Sequence, residues 1–264
     1  MANLAQVMFI MALAGEVAAA AAWLTAIFIK RFQRPALILT MVGFFFLTFS
    51  IIFRAIAAGR GPFSNIYEFS MAFAWGVMVI GLIFWWRNKV ALVAGITTIL
   101  ALALLIFAAT LSATVNSLVP ALQQSALLSL HVTAAVIAYG SFSLGFGLAI
   151  VYLVREDKQQ SRLPEADVID RLSYQAVVIG FPLLTLTIIL GAIWAEISWG
   201  RYWSWDPKET ASLVTWLIYA GYLHARVIRG WKGKKAAILL IVGFGAVLFT
   251  FFGNYIFQGL HSYR

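Results

Sequence analysis

Apolar positions in this chain fall in long unbroken runs, and short stretches between them hold nearly all of the charge. Eight runs, at about 5–29, 36–58, 69–86, 90–109, 127–154, 174–193, 207–226 and 236–257, are long enough to cross a bilayer, which takes roughly 20 residues. Each is predicted to be a helix, because inside lipid a helix satisfies its own backbone N–H and C=O groups. The expected fold is therefore all-α: a polytopic membrane protein of about eight transmembrane helices. It would form one integral membrane domain over 1–264, with an external loop at 194–210.

The breaks alternate in charge. Those after the first, third, fifth and seventh runs carry 14 of the 19 Lys and Arg residues, in clusters such as Lys30, Arg31, Arg34 and Arg226, Arg229, Lys232, Lys234, Lys235. The other side holds Arg54, Arg60, Arg201, Lys208 and Arg264. Basic residues collect in cytoplasmic loops, so both termini and the 194–210 loop are expected outside. The opening "MANLAQVMFIM" lacks a basic n-region and reads as the start of the first span, not as a removed signal peptide.

Composition removes the alternatives. With 62% hydrophobic and 11% charged residues and a mean hydropathy of +0.91, a soluble domain of 264 residues is excluded. The net charge of +9 lies in breaks that orient the chain, so it does not point to nucleic acid. There is no cysteine, which excludes a disulfide, thiolate ligand or thiol relay within the chain. Any thiol chemistry belongs to a partner.

Chemistry is left to few residues. His131 falls in the first turns of the fifth run and His261 follows the eighth, both on the outer side. His224 lies 17 residues after Pro207, about 25 Å along the seventh helix and toward its inner end. An interfacial histidine is often only a polar side chain at headgroup level, whereas one within a span is a functional candidate. Two histidines at the outer ends of different spans also suit the axial positions of one metal macrocycle. Zinc fits less well, since it wants three or four protein ligands.

The outer histidines bracket "WGRYWSWDPKE" (199–209), where Trp199, Tyr202, Trp203 and Trp205 fall within seven positions. Two readings fit. Aromatic residues gather at membrane interfaces; four rings so close, with Trp194 before them, also suit a platform for a flat ligand. If the stretch were a short helix, Trp199, Tyr202 and Trp203 would share a face. Arg201 and Lys208 are then the nearest cations for a porphyrin's propionates. "DPKE" is a helix start, with Asp206 at N-cap, Pro207 at N1 and Glu209 at N3. Glu16 and Arg54 are charges within the first and second runs, with no role evident from sequence.

"WGRYWSWDPKETASLVTWLIYAGYLHAR" (199–226) resembles the tryptophan-rich WWD signature of heme-handling proteins, in particular the CcsA/ResC-type cytochrome c biogenesis proteins of system II, the CcsA half of CcsBA-type synthases. "GPFSNIYEF" (61–69) is similar to the family's P-x-S-N-x-Y-E segment, and the histidine order matches. One departure is Ala211, where family members often carry an aromatic residue. The resemblance implies that heme b moves from the inner to the outer face and is presented for thioether attachment to the CxxCH motif of apocytochrome c. His131 and His261 would be axial ligands of the external heme, with Trp199, Tyr202, Trp203, Trp205 and Asp206 around it. His224 would be one ligand of a heme within the membrane, the second coming from a CcsB/ResB subunit. No residue is implied to be catalytic beyond this presentation. The complex would have holocytochrome c synthase activity, with thiol-reducing partners, in a bacterial plasma membrane rather than a thylakoid. A delivery protein of CcmC type is the nearer alternative. A heme-bearing quinol redox subunit would instead pair histidines inside the bilayer, and a plain solute transporter would need no aromatic shelf.

Overall fold

The structure is a computed structural model that describes residues 1–61, 63–115, 125–155 and 163–256, with Ser125 and 254–256 described by backbone alone. Each expected run is one helix: α1 (Ala2–Phe28), α2 (Gln33–Ala58), α3 (Ile66–Asn88), α4 (Ala91–Ala109), α5 (Ser125–Val154), α6 (Ala166–Trp199), α7 (Pro207–Val227) and α8 (Lys234–Ile256). One 3-10 turn, Lys30–Phe32, joins α1 to α2. Among the described residues, seven helices are long and apolar enough to cross a membrane, and α7 is the exception. The chain divides into two compact units, Met1–Leu118 and Val119–Arg264.

In the first unit, α1 and α2 form an antiparallel pair. A Cβ built on Gly15 would stand 3.2 Å from the Cα of Gly43, so small residues bring the two backbones together. Hydrogen bonds fasten the pair at both ends: Ser50 Oγ donates to the Ala5 carbonyl (2.8 Å), and Trp23 Nε1 donates to Thr40 Oγ1 (3.1 Å). Thr40 Oγ1 also meets Thr98 Oγ1 of α4 at 3.0 Å. Between helices in lipid such bonds hold what hydrophobicity alone does not.

Arg54, unassigned in sequence, has a full set of partners. Its Nε donates to Glu68 Oε1 (2.8 Å), Nη1 to the Ala113 carbonyl (2.7 Å) and Nη2 to the Thr114 carbonyl (2.9 Å). Glu68 Oε2 accepts from Arg60 Nη1 (3.1 Å) and from the Ser64 N–H (2.8 Å). Asn65 caps α3 by accepting from the Glu68 N–H (2.9 Å). The stretch 63–69 is therefore built around the buried Glu68 carboxylate, which through Arg54 ties α2, the entry to α3 and the residues after α4 together.

The second unit is an up-and-down ring of four helices. α5 and α6 run antiparallel, with His131 meeting Thr187 near one end and Gly145 meeting Ser173 toward the other. α5 and α8 are antiparallel through Phe146–Phe244, stacked at 4.3 Å. At the centre Phe142 stacks on Tyr219 of α7 at 3.7 Å, and the Tyr219 ring lies against Gly243 of α8.

The polar character of α7 is spent on its neighbours. Thr215 meets Thr250 of α8 at 3.2 Å, Trp216 Nε1 donates to Thr185 of α6 at 2.9 Å, and Arg226 pairs with Asp170 of α6 at 2.9 Å. These contacts run from the first half of α7 to its last turn. α7 thus lies along α6 and α8, both of which are apolar enough to span, and its polar residues find their partners there.

Candidate functional site

Antiparallel order brings four features to one end of the second unit: the start of α5, the end of α6, the start of α7 and the last described turn of α8. His131 is the seventh residue of α5. Its Nδ1 lies 2.8 Å from the Thr187 carbonyl oxygen of α6. A carbonyl only accepts, so Nδ1 carries the proton, and the lone pair of the neutral ring is on Nε2. A hydrogen bond on the distal nitrogen is the device that orients a metal-binding imidazole and raises its basicity.

The ring is also seated sterically. A Cβ on Gly191 would stand 2.8 Å from His131 Cε1 and 3.1 Å from Nδ1, so only glycine admits the ring there. Thr187 and Gly191, which hold and seat the ring of the candidate residue His131, are residues that sequence reading passed over. The one available signal was a glycine inside an apolar helix, a mark of close approach.

The aromatic stretch departs from the shared helical face. Gly200, at φ +70°, ends α6, and its N–H donates to the Glu196 carbonyl. The connection is 200–206, shorter than the expected 194–210, and it is not helical. The rings therefore form two edge-to-face pairs instead of one shelf. Trp199, the last residue of α6, meets Trp194 at 4.8 Å and 72°; Trp203 meets Trp205 at 5.8 Å and 88°. Tyr202 and Trp205 stay exposed, at 61% and 69%. Arg201 is exposed and Lys208 half-buried in the first turn of α7.

Trp205 has φ +59°, a left-handed conformation that costs a bulky residue on the order of 1–3 kcal/mol. The local hydrogen bonds explain why it persists. Glu209 Oε2 accepts from the N–H groups of Ser204 (2.8 Å) and Asp206 (3.2 Å), one on either side of Trp205. Asp206 closes the reciprocal capping box of α7 as expected, its Oδ1 accepting from the Lys208 N–H at 2.9 Å. Thus "DPKE" does more than start a helix: Glu209 holds Trp205 in place. Changing Glu209 to alanine should cost about 1–2 kcal/mol of stability and let Trp205 relax. The checks are thermal unfolding and proteolysis within 200–206, and unchanged protection there would argue against this role.

His224 and His131 are not brought together. His224 is in the last turn of α7, at the opposite end of the unit, and its side chain is exposed on the face that also carries Leu217 and Gly221. Beside it Arg226 bonds Asp170 and the Trp231 carbonyl, and its guanidinium lies 5.0 Å over the Tyr174 ring. His261 lies outside the described residues.

Three comparisons bear on this arrangement. The chain matches the family model described as "Cytochrome C assembly protein" over residues 63–261. It is 38% identical over 267 residues to the cytochrome c biogenesis protein CcsA of Gloeothece citriformis (strain PCC 7424), covering 80% of this chain and 81% of that one. It is 37% identical over 248 residues to CcsA of Guillardia theta, covering 82% of each. Among solved structures, the cytochrome c heme lyase CcmF superposes with a TM-score of 0.70 at 18% identity, over 95% of this chain and 46% of that protein, which is thus much the longer.

Proposed function

This chain belongs to the cytochrome c assembly protein family, and from that premise we propose that it handles heme in c-type cytochrome maturation and presents it for attachment to apocytochrome c. Heme is the substrate. The observation that carries the reading is His131, whose Nδ1 proton is committed to Thr187 so that Nε2 is the ligating nitrogen. His131 and His261 are the ligands of heme b at the outer face. The last described turn of α8 lies at the end where α5 begins, and His261 follows it five residues later in sequence, which supports His261 as the second of the pair.

Around that position the exposed rings of Tyr202 and Trp205 offer apolar contact, with Trp203 packed edge-to-face on Trp205 and Trp199 on Trp194. Arg201 and Lys208 are the cations nearest the propionates, and Asp206 and Glu209 keep the connection in shape. The attachment itself needs no nucleophile from this chain. Each substrate thiol adds across one heme vinyl group, forming one C–S and one C–H bond with no leaving group. The chain contributes orientation and proximity.

His224 ligates a second heme within the membrane, shared with a CcsB/ResB-type subunit. Its exposed position on α7 suits a ligand completed from outside the chain. The complex is a holocytochrome c synthase, with the aromatic connection facing the outside of a bacterial plasma membrane and thiol reduction left to other partners.

Absorption spectra of the purified protein test the site. The His131→Ala, His261→Ala double variant should lose the Soret band of the outer heme, and an unchanged band would refute the ligand assignment. His224→Ala should lower outer loading as well, since that heme arrives through the membrane; full loading would remove the transport role. Co-expression with the partner and a reporter CxxCH apocytochrome should yield covalent heme. Bound heme without any thioether product would favour delivery to a chaperone.

A further inference from the structure

Glu16 sits at the middle of α1 and is wholly buried, at 0% exposure. Among the described residues neither carboxyl oxygen has a hydrogen-bond partner. The group is received by Gly43 of α2: a Cβ there would stand 2.9 Å from the Glu16 Cδ and closer still to Oε1. The helix pair is thus shaped around a carboxyl group at mid-span.

No charge answers it. Glu16 is the one charged residue of α1, and α4 has none. On α2, Arg34 and Arg54 lie nine and eleven residues from Gly43, about 13 and 16 Å along the axis. Arg54 is committed to Glu68, the acid of the first turn of α3. Tyr67 of α3 donates to Gln6 of α1 and packs on Phe9, two turns before Glu16, and Arg87 is in the last turn of α3. A bare carboxylate in such a place would carry a large desolvation cost.

We propose that Glu16 is a proton-binding site, its carboxyl neutral in the resting packing of α1 on α2. A metal cation is a poor alternative, because sodium or calcium needs several oxygen ligands, and among the described residues no group of three or more His, Cys, Asp or Glu gathers to hold a metal ion. Loss of the proton would leave a charge between two closely approaching backbones. Ionisation therefore requires the pair to part or water to enter, so proton occupancy and the packing of this hairpin are linked. Both helices precede the 63–261 match, so this site is additional to the proposed heme site.

The full-length protein in lipid nanodiscs provides the test. Its infrared spectrum should contain a protonated-carboxyl C=O band at neutral pH that Glu16→Gln removes. A lipophilic carbodiimide, which adds to the protonated acid and rearranges to a stable N-acylurea, should label Glu16 in a reaction lost in the same variant and slowed at alkaline pH. Sodium ions should leave labelling unchanged. Absence of the infrared band, or protection by sodium, would overturn the proposal. Glu16→Leu serves if the glutamine variant folds poorly, since it must also lack the band.

Discussion

Glu68→Ala is expected to cost about 3–5 kcal/mol, the usual consequence of removing one partner from a buried ion pair. The side chains of Glu68, Arg54 and Arg60 are 0%, 5% and 7% exposed, and both guanidinium groups lean on the one carboxylate. Its loss strands two cations and frees the Ser64 N–H. The midpoint of thermal unfolding in detergent should fall sharply, along with the yield of folded protein. Glu68→Gln, which keeps an acceptor oxygen but no charge, should fall between it and the wild type. A double change, Arg54→Met with Glu68→Leu, should recover part of the loss, because it removes one of the two stranded cations together with its partner, while Arg60 remains. Wild-type stability of Glu68→Ala would show that the hub carries little.

Gly191→Val should weaken heme binding about 10- to 100-fold without altering any candidate ligand, the range typical of losing the group that orients a metal-binding histidine. A side chain at this position must displace the His131 ring, already 2.8 Å from the first carbon added, and break its bond to Thr187. Gly191→Ala should show a smaller loss in the same direction. Overpacking alone costs about 1–3 kcal/mol, so a control is needed. Gly180→Ala supplies it: a Cβ there meets Phe142 at 2.7 Å in the same α5–α6 interface, eleven residues or about 16 Å from Gly191. That variant should lose stability and keep its heme affinity. Equal affinity in Gly191→Val and wild type would remove His131 from the site, or remove the orienting role of Thr187.

All eight helices were legible from the pattern of apolar runs, with boundaries shifted outward chiefly where polar ends continue the helix, as in α6 from Ala166 to Trp199. The cap at Asp206 was legible too, because a capping box is a local motif of four residues. The shape of the aromatic stretch was not. It depends on Gly200 and Trp205 taking left-handed conformations, and Trp205 does so only because Glu209 grips the chain on both sides. The packing of α7 lay between the two. Its apolar run was visible, but its polar residues are tolerable only through Thr185, Asp170 and Thr250 on other helices.

In lipid the solvent is as apolar as leucine, so hydrophobicity along a chain reports how many times it crosses and says little about which faces meet. The sequence by itself determined an all-helical membrane protein and the family. Tertiary structure alone decided the pairings. Arg54 finds Glu68, 14 residues on, and carbonyls 59 and 60 residues on; His131 finds Thr187, 56 residues away; Glu16 packs on Gly43 and, among the described residues, finds no hydrogen-bond partner. Those choices are made where small residues let two helices approach and a polar group must find, or lack, a partner across the gap.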